Sequence, residues 1–408
     1  MTKLWDAVND PLMGIIADRT ETRFGKFRPY LLWAAVPYGV LGFIMFANPD
    51  LDESGKLIYA WVTYSLMMTV YTAINVPYSA LMGVMTPSSQ ERTILSSYRF
   101  VCAFGGGLLI SMLVRPLVQY LGAGNEAQGF SLTMALFAVV SIALFWFTFA
   151  VTRERVKTPK DHNSSLKRDL KFLFSNRPWV VMFFAAIFTL ANVAVKNAVT
   201  IHFFKYYVGD DGTSYFLFMD RTTLFLTAGM LAMILGVAST RLFTKHFEKK
   251  TLMIWLSLLN AASMVIIFLI PADQYWTMMV VNIIGMFLVG PTPALVWAMY
   301  ADVADYGEWK YRRRTTGLVF SAAQFAQKFG LTLGGGLSGW ILGLAGFVAN
   351  MEQTETSLLG IRLMFTIIPA CLATLNACVL IFYSLSDKQV AQIEIELEER
   401  KSGVRKNA

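Results

Sequence analysis

The chain has 408 residues, of which 55% are hydrophobic and 15% are charged, and its formal net charge is +8. Soluble domains carry roughly a quarter charged residues, so this composition excludes a typical soluble enzyme and indicates a membrane protein. The positive charge is typical of basic loops on one membrane face, and we expect no nucleic-acid partner. The three cysteines lie in apolar stretches without metal-ligand spacing, so we expect buried free thiols at Cys102, Cys371 and Cys378.

Hydrophobic runs long enough to span a bilayer, about 20 residues each, predict the transmembrane helices. Ten complete spans are expected, at 29–47, 57–84, 94–121, 130–152, 179–207, 215–243, 251–271, 274–301, 316–347 and 358–385. Lys and Arg concentrate in alternate connections such as "DRTETRFGKFR" and "DYGEWKYRRR", whereas the intervening connections are acidic or neutral. By the positive-inside rule the basic connections face the cytoplasm. We therefore expect a multi-pass protein in the lipid bilayer of the bacterial cytoplasmic (inner) membrane.

The arrangement of spans around the longest basic loop predicts two helical halves. Six spans follow this loop and four complete spans precede it, while the first 18 residues lead directly into a cytoplasmic loop. The stretches "GIIADRTETRFGKFRPYL" and "GVASTRLFTKHFEKKTLM" also resemble each other, as parallel repeats of major facilitator transporters do. We expect an all-α major facilitator fold of two six-helix halves that lacks the first helix and half of the second. The expected divisions are an incomplete N-terminal half (1–152), a cytoplasmic central loop (153–178), a C-terminal half (179–385) and a cytoplasmic tail (386–408).

Polar residues recur at one depth of the predicted spans. With a helical rise of about 1.5 Å per residue, Asp10 and Asp6 lie about 12 and 18 Å from the cytoplasmic edge. Thr72 and Asn75 lie about 18 and 13 Å from the cytoplasmic end of their span, and Lys328 lies about 18 Å from the end of its own. The midplane is about 15 Å from either edge. Transporter substrates and coupling ions bind at this level.

The two carboxylates predict a cation site. Asp6 and Asp10 share a helix face because residues i and i+4 are neighbours. Two anions there cannot both stay charged without a partner, so either one takes a proton or a cation such as Na⁺ bridges them. Thr72 and Asn75 add neutral oxygens, which completes a predicted cation site of four residues. The alternative is a carboxylate pair that only hydrogen-bonds neighbouring helices.

Three basic residues and Asn75 are the candidates for substrate binding. Lys328 is either a counter-charge to the two carboxylates or a donor to substrate hydroxyls. Lys196 either lines the cavity or snorkels outward. Arg99 either reaches the cavity or meets lipid headgroups.

Opposite charges at the cytoplasmic face predict an inner gate. The acidic side consists of Asp302, Asp305 and Glu308 in "ADVADYGEWK". The basic side consists of Arg19, Arg23 and Arg28 in "DRTETRFGKFR". Ordinary solvated loop charge is the alternative.

Four motifs carry a resemblance to a known family. In "WDAVNDPLMGIIADRTETRFGKFRPYLL", "YTAINVPYSALMG", "RTILSSYRF" and "ADVADYGEWK", the chain resembles the glycoside–pentoside–hexuronide:cation symporters, the group that contains the melibiose carrier. The resemblance covers essentially the whole chain and implies a major facilitator fold that couples a sugar to sodium, lithium or protons. It implies that Asp6 and Asp10 bind the cation and that Thr72 supplies a cation-site hydroxyl. It also implies that Arg99 and Lys328 lie at the sugar site.

Two departures from the melibiose carrier bear on the sugar. Asn75 stands where that carrier has an Asp involved with sugar, and Ser79 stands where it has a Trp. These departures make the chain more similar to the xyloside and hexuronide branches than to a galactoside carrier.

The expected function is cation-coupled symport of a glycoside by alternating access, in a monomer that needs no cofactor beyond the coupling Na⁺ or H⁺. A lysolipid or amphiphile transporter of the same fold and an inactive truncated fragment are the alternatives. A membrane enzyme is not expected, because His162, His202 and His246 are dispersed and no nucleophile–base spacing occurs.

Overall fold

The computed structural model of the chain describes residues 2–47, 49, 51–156, 166–210, 220–312 and 316–406. Before the long basic loop, the helices are α1 (Thr2–Arg19), α2 (Arg28–Trp33), α3 (Ala35–Ile44), α4 (Glu53–Met85), α5 (Ser89–Gly122) and α6 (Glu126–Val151). We call these six the N-terminal group.

The helices after the loop begin with the short amphipathic α7 (Leu166–Ser175). They continue with α8 (Arg177–His202), which ends in a π-helical segment (Phe203–Val208), then α9 (Arg221–Ala238), α10 (Thr240–Thr244), α11 (Lys249–Leu269), α12 (Tyr275–Val289), α13 (Pro291–Tyr311), α14 (Thr316–Leu344), α15 (Glu355–Phe365), α16 (Ile367–Ile381) and α17 (Asp387–Lys406). We call α8–α16 the C-terminal group. The predicted division of the halves stays a prediction, and residues 157–165 of its central loop lie outside the described residues.

Each of the ten predicted spans coincides with helix in the described residues. By length and hydropathy, eight helical segments there can cross a membrane. The two predicted spans outside this set are 29–47, which is divided between α2 and α3, and α14, whose apolar sequence is interrupted by polar and glycine residues. Large apolar side chains on the outside of α6, such as Leu144 and Phe147, are exposed, as lipid-facing residues are.

Polar side chains fix where several helices begin. Asp52, Asn125 and Asp220 each accept a hydrogen bond from the backbone amide three residues later, which satisfies an otherwise unpaired donor of the first helical turn. The Glu154 carboxylate accepts from three successive amides at the start of α2, at 2.7–2.9 Å. The negative charge also complements the positive end of the helix dipole.

A carboxylate that accepts from the first amides of a helix also connects the two helix groups. The Asp18 carboxylate at the end of α1 accepts from the amides of Gly317 (2.7 Å) and Leu318 (2.9 Å) in the first turn of α14. The α1 helix therefore packs along α14 with its end fixed to the start of that helix.

Two apolar clusters stabilise the ends of the bundle. The larger one combines residues of α1, α4, α8, α13, α14 and α17 at the end that is predicted to face the cytoplasm, and Ile74 and Phe320 are among its buried members. The smaller one lies toward the opposite end, where the rings of Phe203 and Phe365 stack with centroids 4.1 Å apart. Close-packed ring contacts of this kind contribute beyond the area that they bury.

The predicted burial of the cysteines is wrong. Cys102, Cys371 and Cys378 are free thiols, and all three are exposed. An apolar stretch does not tell which face of a helix turns inward, and a thiol is apolar enough to face lipid.

Candidate transport site

A carboxylate, an ammonium and a hydroxyl from three helices meet inside the bundle. Asp10 on α1 is fully buried, and its Oδ1 lies 2.9 Å from Nζ of Lys328 on α14. The same Oδ1 accepts a hydrogen bond from the Thr72 hydroxyl on α4, also at 2.9 Å. The charges of Asp10 and Lys328 offset each other, so neither is buried without a counter-charge. The structure therefore brings together three residues that the sequence predicted for the site.

Close approach of two backbones makes this meeting possible. A Cβ atom on Gly14 would lie 2.2 Å from Oγ of Ser321 and 2.7 Å from the carbonyl oxygen of Gly317. Only a residue without a side chain fits there, as in other membrane helices that pack closely. Gly14 lies one helical turn from Asp10, so the contact sets the carboxylate against α14.

The second predicted carboxylate stays a prediction. The Asp6 backbone lies in α1, one turn before Asp10, but its side chain lies outside the described residues. Among the described side chains, no three His, Cys, Asp or Glu have the arrangement of a metal site. The coupling cation of such a site is cargo rather than a resident cofactor.

Asn75 belongs to a second polar cluster beside the ion pair. Its Nδ2 donates to the Tyr71 hydroxyl at 2.9 Å and lies 3.5 Å from Oε1 of Gln324. Nε2 of Gln324 donates to the Asn75 carbonyl at 3.2 Å and to Oγ of Ser79 at 3.0 Å. Sequence reasoning missed Gln324. The sequence does show a glutamine one helical turn before Lys328 in a predicted span, and this spacing places both residues on one helix face.

Arg99 lies inside the bundle, where it contacts both helix groups. Its Nη2 donates to Oγ of Ser79 at 3.2 Å. Its guanidinium lies 4.6 Å from the ring centroids of both Tyr78 on α4 and Trp297 on α13. A guanidinium between two aromatic faces gains cation–π attraction from each. These contacts support the predicted alternative in which Arg99 reaches the interior of the bundle.

Lys196 is separate from these clusters. Its ammonium lies 5.2 Å from the Phe365 ring, in the aromatic cluster toward the opposite end of the bundle. Its predicted role in substrate binding stays a prediction.

The acidic residues predicted for the inner gate are buried rather than solvated. Asp302, Asp305 and Glu308 near the end of α13 are each 2–4% exposed. The Arg92 guanidinium on α5 lies 2.5 Å from Asp305 and 3.5 Å from Asp302. The Lys249 ammonium on α11 also pairs with Asp302. The expected alternative of solvated loop charge is thus wrong for these acidic residues.

Two basic partners of the buried carboxylates were not among those predicted. Arg92 and Lys249 pair with the buried carboxylates, whereas Arg28 donates to the carbonyls of Phe149 (2.6 Å) and Phe24 (3.3 Å). The Arg23 guanidinium lies 4.6 Å from the Phe24 ring, and Arg19 is the last residue of α1. The loop that carries these arginines is folded back onto α6 by the Glu154 contacts, which explains where Arg23 and Arg28 lie.

The C-terminal helix completes the charge network. Glu394 of α17 accepts from Nη2 of Arg92 (3.0 Å) and from the Ser89 amide (2.5 Å). Burial raises the pKa of the Glu394 carboxyl above its ordinary value, although the nearby Arg92 opposes the shift. The Asp387 carboxylate accepts from the Lys249 amide at 3.2 Å. The sequence predicts only a cytoplasmic tail here, without these contacts.

An apolar face holds α17 against the bundle. Val390, Ile393 and Leu397 recur at helical spacing and are 3–6% exposed. On the neighbouring face, the Trp309 indole donates to Glu396 at 2.6 Å. The periodicity of these three residues was the signal that would have found the contact.

Comparison with known proteins agrees with this architecture. Residues 1–387 match a family model described as MFS/sugar transport protein. YagG of Escherichia coli strain K12, provisionally named a glycoside/cation symporter, is 36% identical over 399 residues, which are 97% of this chain and 85% of YagG. The isoprimeverose transporter of Lactiplantibacillus pentosus is 33% identical over 404 residues, which are 98% of this chain and 82% of that protein.

A solved structure confirms the predicted fold. The major facilitator transporter FucP, in its outward conformation, matches with a TM-score of 0.63 at 12% sequence identity, over 93% of this chain and 87% of FucP. Transporters of this superfamily need no cofactor, and they are not enzymes. The chain is a multi-pass protein of the inner membrane, and it belongs to the glycoside–pentoside–hexuronide:cation symporter family of the major facilitator superfamily, which includes sugar symporters.

Proposed function

We propose that the protein couples uptake of a glycoside, such as a xyloside, a hexuronide or a related oligosaccharide, to a cation gradient by alternating access. The observation that carries the proposal is the buried Asp10 carboxylate, held 2.9 Å from Lys328 and 2.9 Å from the Thr72 hydroxyl. The names of the relatives support it, since one is named as a glycoside/cation symporter and another as an isoprimeverose transporter.

Competition for Asp10 supplies the coupling. A proton or Na⁺ that binds the carboxylate replaces part of the attraction between Asp10 and Lys328. The freed ammonium is then available to donate to substrate hydroxyls. Because an ammonium without a partner is costly in a buried site, cation binding favours sugar binding, and the reverse must hold by linkage.

The buried charge network supplies the inner gate. Arg92 of the N-terminal group pairs with Asp302 and Asp305 of the C-terminal group, so separation of the two groups at this end must break these pairs. The proposed gate also includes Glu308 and the loop residues Arg19, Arg23 and Arg28. In this account the network opens once in each transport cycle.

The experiment is glycoside uptake into proteoliposomes driven by a sodium or a proton gradient, with isoprimeverose as the first probe. Asp10→Asn keeps the side-chain volume but removes the charge, so its uptake should no longer rise with either gradient. Asp273→Asn, at an exposed loop position, is the matched control and should behave as the wild type. Uptake by the Asp10 variant that still increases with a gradient would exclude the assigned role.

A further inference from the structure

Gln324 is a buried amide that joins the two helix groups. It lies on α14 and is 5% exposed. Its two donor bonds go to the Asn75 carbonyl and the Ser79 hydroxyl of α4, at 3.2 and 3.0 Å, and its Oε1 faces the Asn75 amide at 3.5 Å. One side chain thus uses its donors and its acceptor on a single stretch of the opposite group.

The same amide connects the residues proposed for sugar binding. Ser79 accepts from Gln324 and from Arg99, and Asn75 contacts both Gln324 and Tyr71. A continuous path of polar contacts therefore runs from Arg99 to Tyr71 through Gln324. Lys328 lies one turn further along α14, so both the ion pair and the amide contacts link α14 to the N-terminal group.

We propose that Gln324 is a positioning residue for the substrate, which orients Asn75 and Ser79 toward the sugar. Its hydrogen bonds to these residues also stabilise the conformation that is closed at the end of the bundle where Arg92 lies. The inference rests on the proposed function. Since α4 and α14 belong to opposite groups, opening at that end must break the Gln324 bonds. Sugar hydroxyls can donate and accept hydrogen bonds, so they replace the Gln324 bonds for Asn75 and Ser79. Separation of the helix groups therefore breaks fewer hydrogen bonds without replacement when the site is occupied.

Uptake kinetics provide the first test. Gln324→Met has similar length but cannot hydrogen-bond, and Gln327→Met on the same helix is the matched control. For Gln324→Met we expect the KM for isoprimeverose to rise roughly tenfold, which corresponds to about 1.4 kcal/mol. The half-saturating cation concentration should stay within about twofold, because Asp10 and Lys328 are intact. A purely structural role would instead lower abundance and shift the sugar and cation parameters together.

A double-mutant cycle shows whether Gln324 acts through Ser79. Ser79→Ala should also raise KM, and the double variant should be no worse than Gln324→Met alone. Additive effects, an unchanged KM in Gln324→Met, or an equal change in Gln327→Met would overturn the proposal.

A measurement without substrate separates this proposal from the proposed function. Spin labels at the exposed positions Arg153 and Lys245 report the separation of the two groups near the Arg92 network. In Gln324→Met the distance distribution should shift toward longer distances without any sugar present, and an unchanged distribution would contradict the proposal. If no glycoside is transported by the wild type, the proposed function fails, and this distance measurement alone decides the role of Gln324.

Discussion

The Lys328 ammonium and the Asp10 carboxylate, 318 positions apart in the chain, form a 2.9 Å ion pair between α14 and α1. The Asp10 side chain is 0% exposed and the Lys328 side chain 16%, so the pair lies largely away from solvent. A buried pair of this kind is weak evidence for stability, since burying the two charges costs about as much as their attraction returns. Loss of Lys328 alone leaves the buried Asp10 carboxylate to be neutralised by a proton or by the coupling cation, so we expect its loss to affect coupling more than folding.

Lys328→Ala should alter cation affinity while membrane abundance stays near that of the wild type. Without the ammonium, the Asp10 carboxylate loses its 2.9 Å ion pair, so either a cation binds more tightly or the carboxyl stays protonated. The measurements are abundance in the membrane, half-saturating cation concentration and sugar counterflow. Lys56→Ala, at an exposed position, is the control. Disappearance of Lys328→Ala from the membrane would make the residue structural, and unchanged cation affinity would remove it from the site.

Arg92→Gln should destabilise the protein, because it leaves buried carboxylates of α13 without their guanidinium partner. Breaking a buried pair by removing one partner costs about 3–5 kcal/mol. Asp305→Asn in the same chain removes the carboxylate charge that lies 2.5 Å from the guanidinium in the wild type, and it should recover part of the loss. The measurement is the thermal unfolding midpoint in detergent. A double variant no more stable than Arg92→Gln would contradict the pairing.

Attachment of α17 should weaken as pH rises. The pKa of Glu394 is raised chiefly by burial, so its contribution to stability is present below the ordinary pKa of a glutamate and is lost as pH rises through the raised value. The measurement is the amide protection factor of α17, which is the exchange rate relative to the intrinsic rate at each pH. From about pH 4.5 upward the protection factor should fall, and Glu394→Gln should remove this trend.

Glu396 provides a control of opposite sign on the same helix. The Trp309 hydrogen bond lowers the pKa of the Glu396 carboxyl, so its contribution is present above the ordinary pKa and is lost as pH falls through the lowered value. Glu396→Gln should therefore change only the acidic side of the exchange profile. The same pH trend in both variants would contradict the assignment to Glu394.

Gly14→Ala should disturb the α1–α14 contact, since the added Cβ would lie 2.2 Å from the Ser321 hydroxyl oxygen. Overpacking of this kind costs about 1–3 kcal/mol. Gly42→Ala is the matched control, because nothing lies within 4 Å of its Cβ position. Thermal unfolding and cation-dependent uptake should both be impaired in the Gly14 variant and not in the control.

Depth along the helices predicted which residues share a level but not which ones touch. Asp10, Thr72 and Lys328 have estimated depths between about 12 and 18 Å and do meet. Asn75 lies within the same range of depth, yet its amide contacts Tyr71 and Gln324, because helix rotation decides the partner and one sequence does not fix rotation. Periodicity is a weak guide to rotation in spans that are apolar on most faces.

Partner choice at the inner gate was missed for a similar reason. The acidic triplet of α13 was predicted, but its basic partner Arg92 lies at the start of α5 rather than in the loop that carries Arg19, Arg23 and Arg28. Local charge density identifies loops that face the cytoplasm, whereas the ion pairs depend on how helix ends are brought together by packing. The α17 contacts depend on the same packing, although the spacing of Val390, Ile393 and Leu397 was visible in the sequence.

Coupling of sugar and cation through Asp10 can be measured by calorimetric titration of the sugar with and without the cation. In the wild type, saturating Na⁺ or lowered pH should raise isoprimeverose affinity, and the sugar should raise cation affinity by the same factor, typically about 5–150-fold for coupled sites. In Asp10→Asn both factors should fall to about one while sugar binding itself persists. Equal coupling factors in the wild type and the Asp10 variant would show that Asp10 does not couple sugar binding to cation binding.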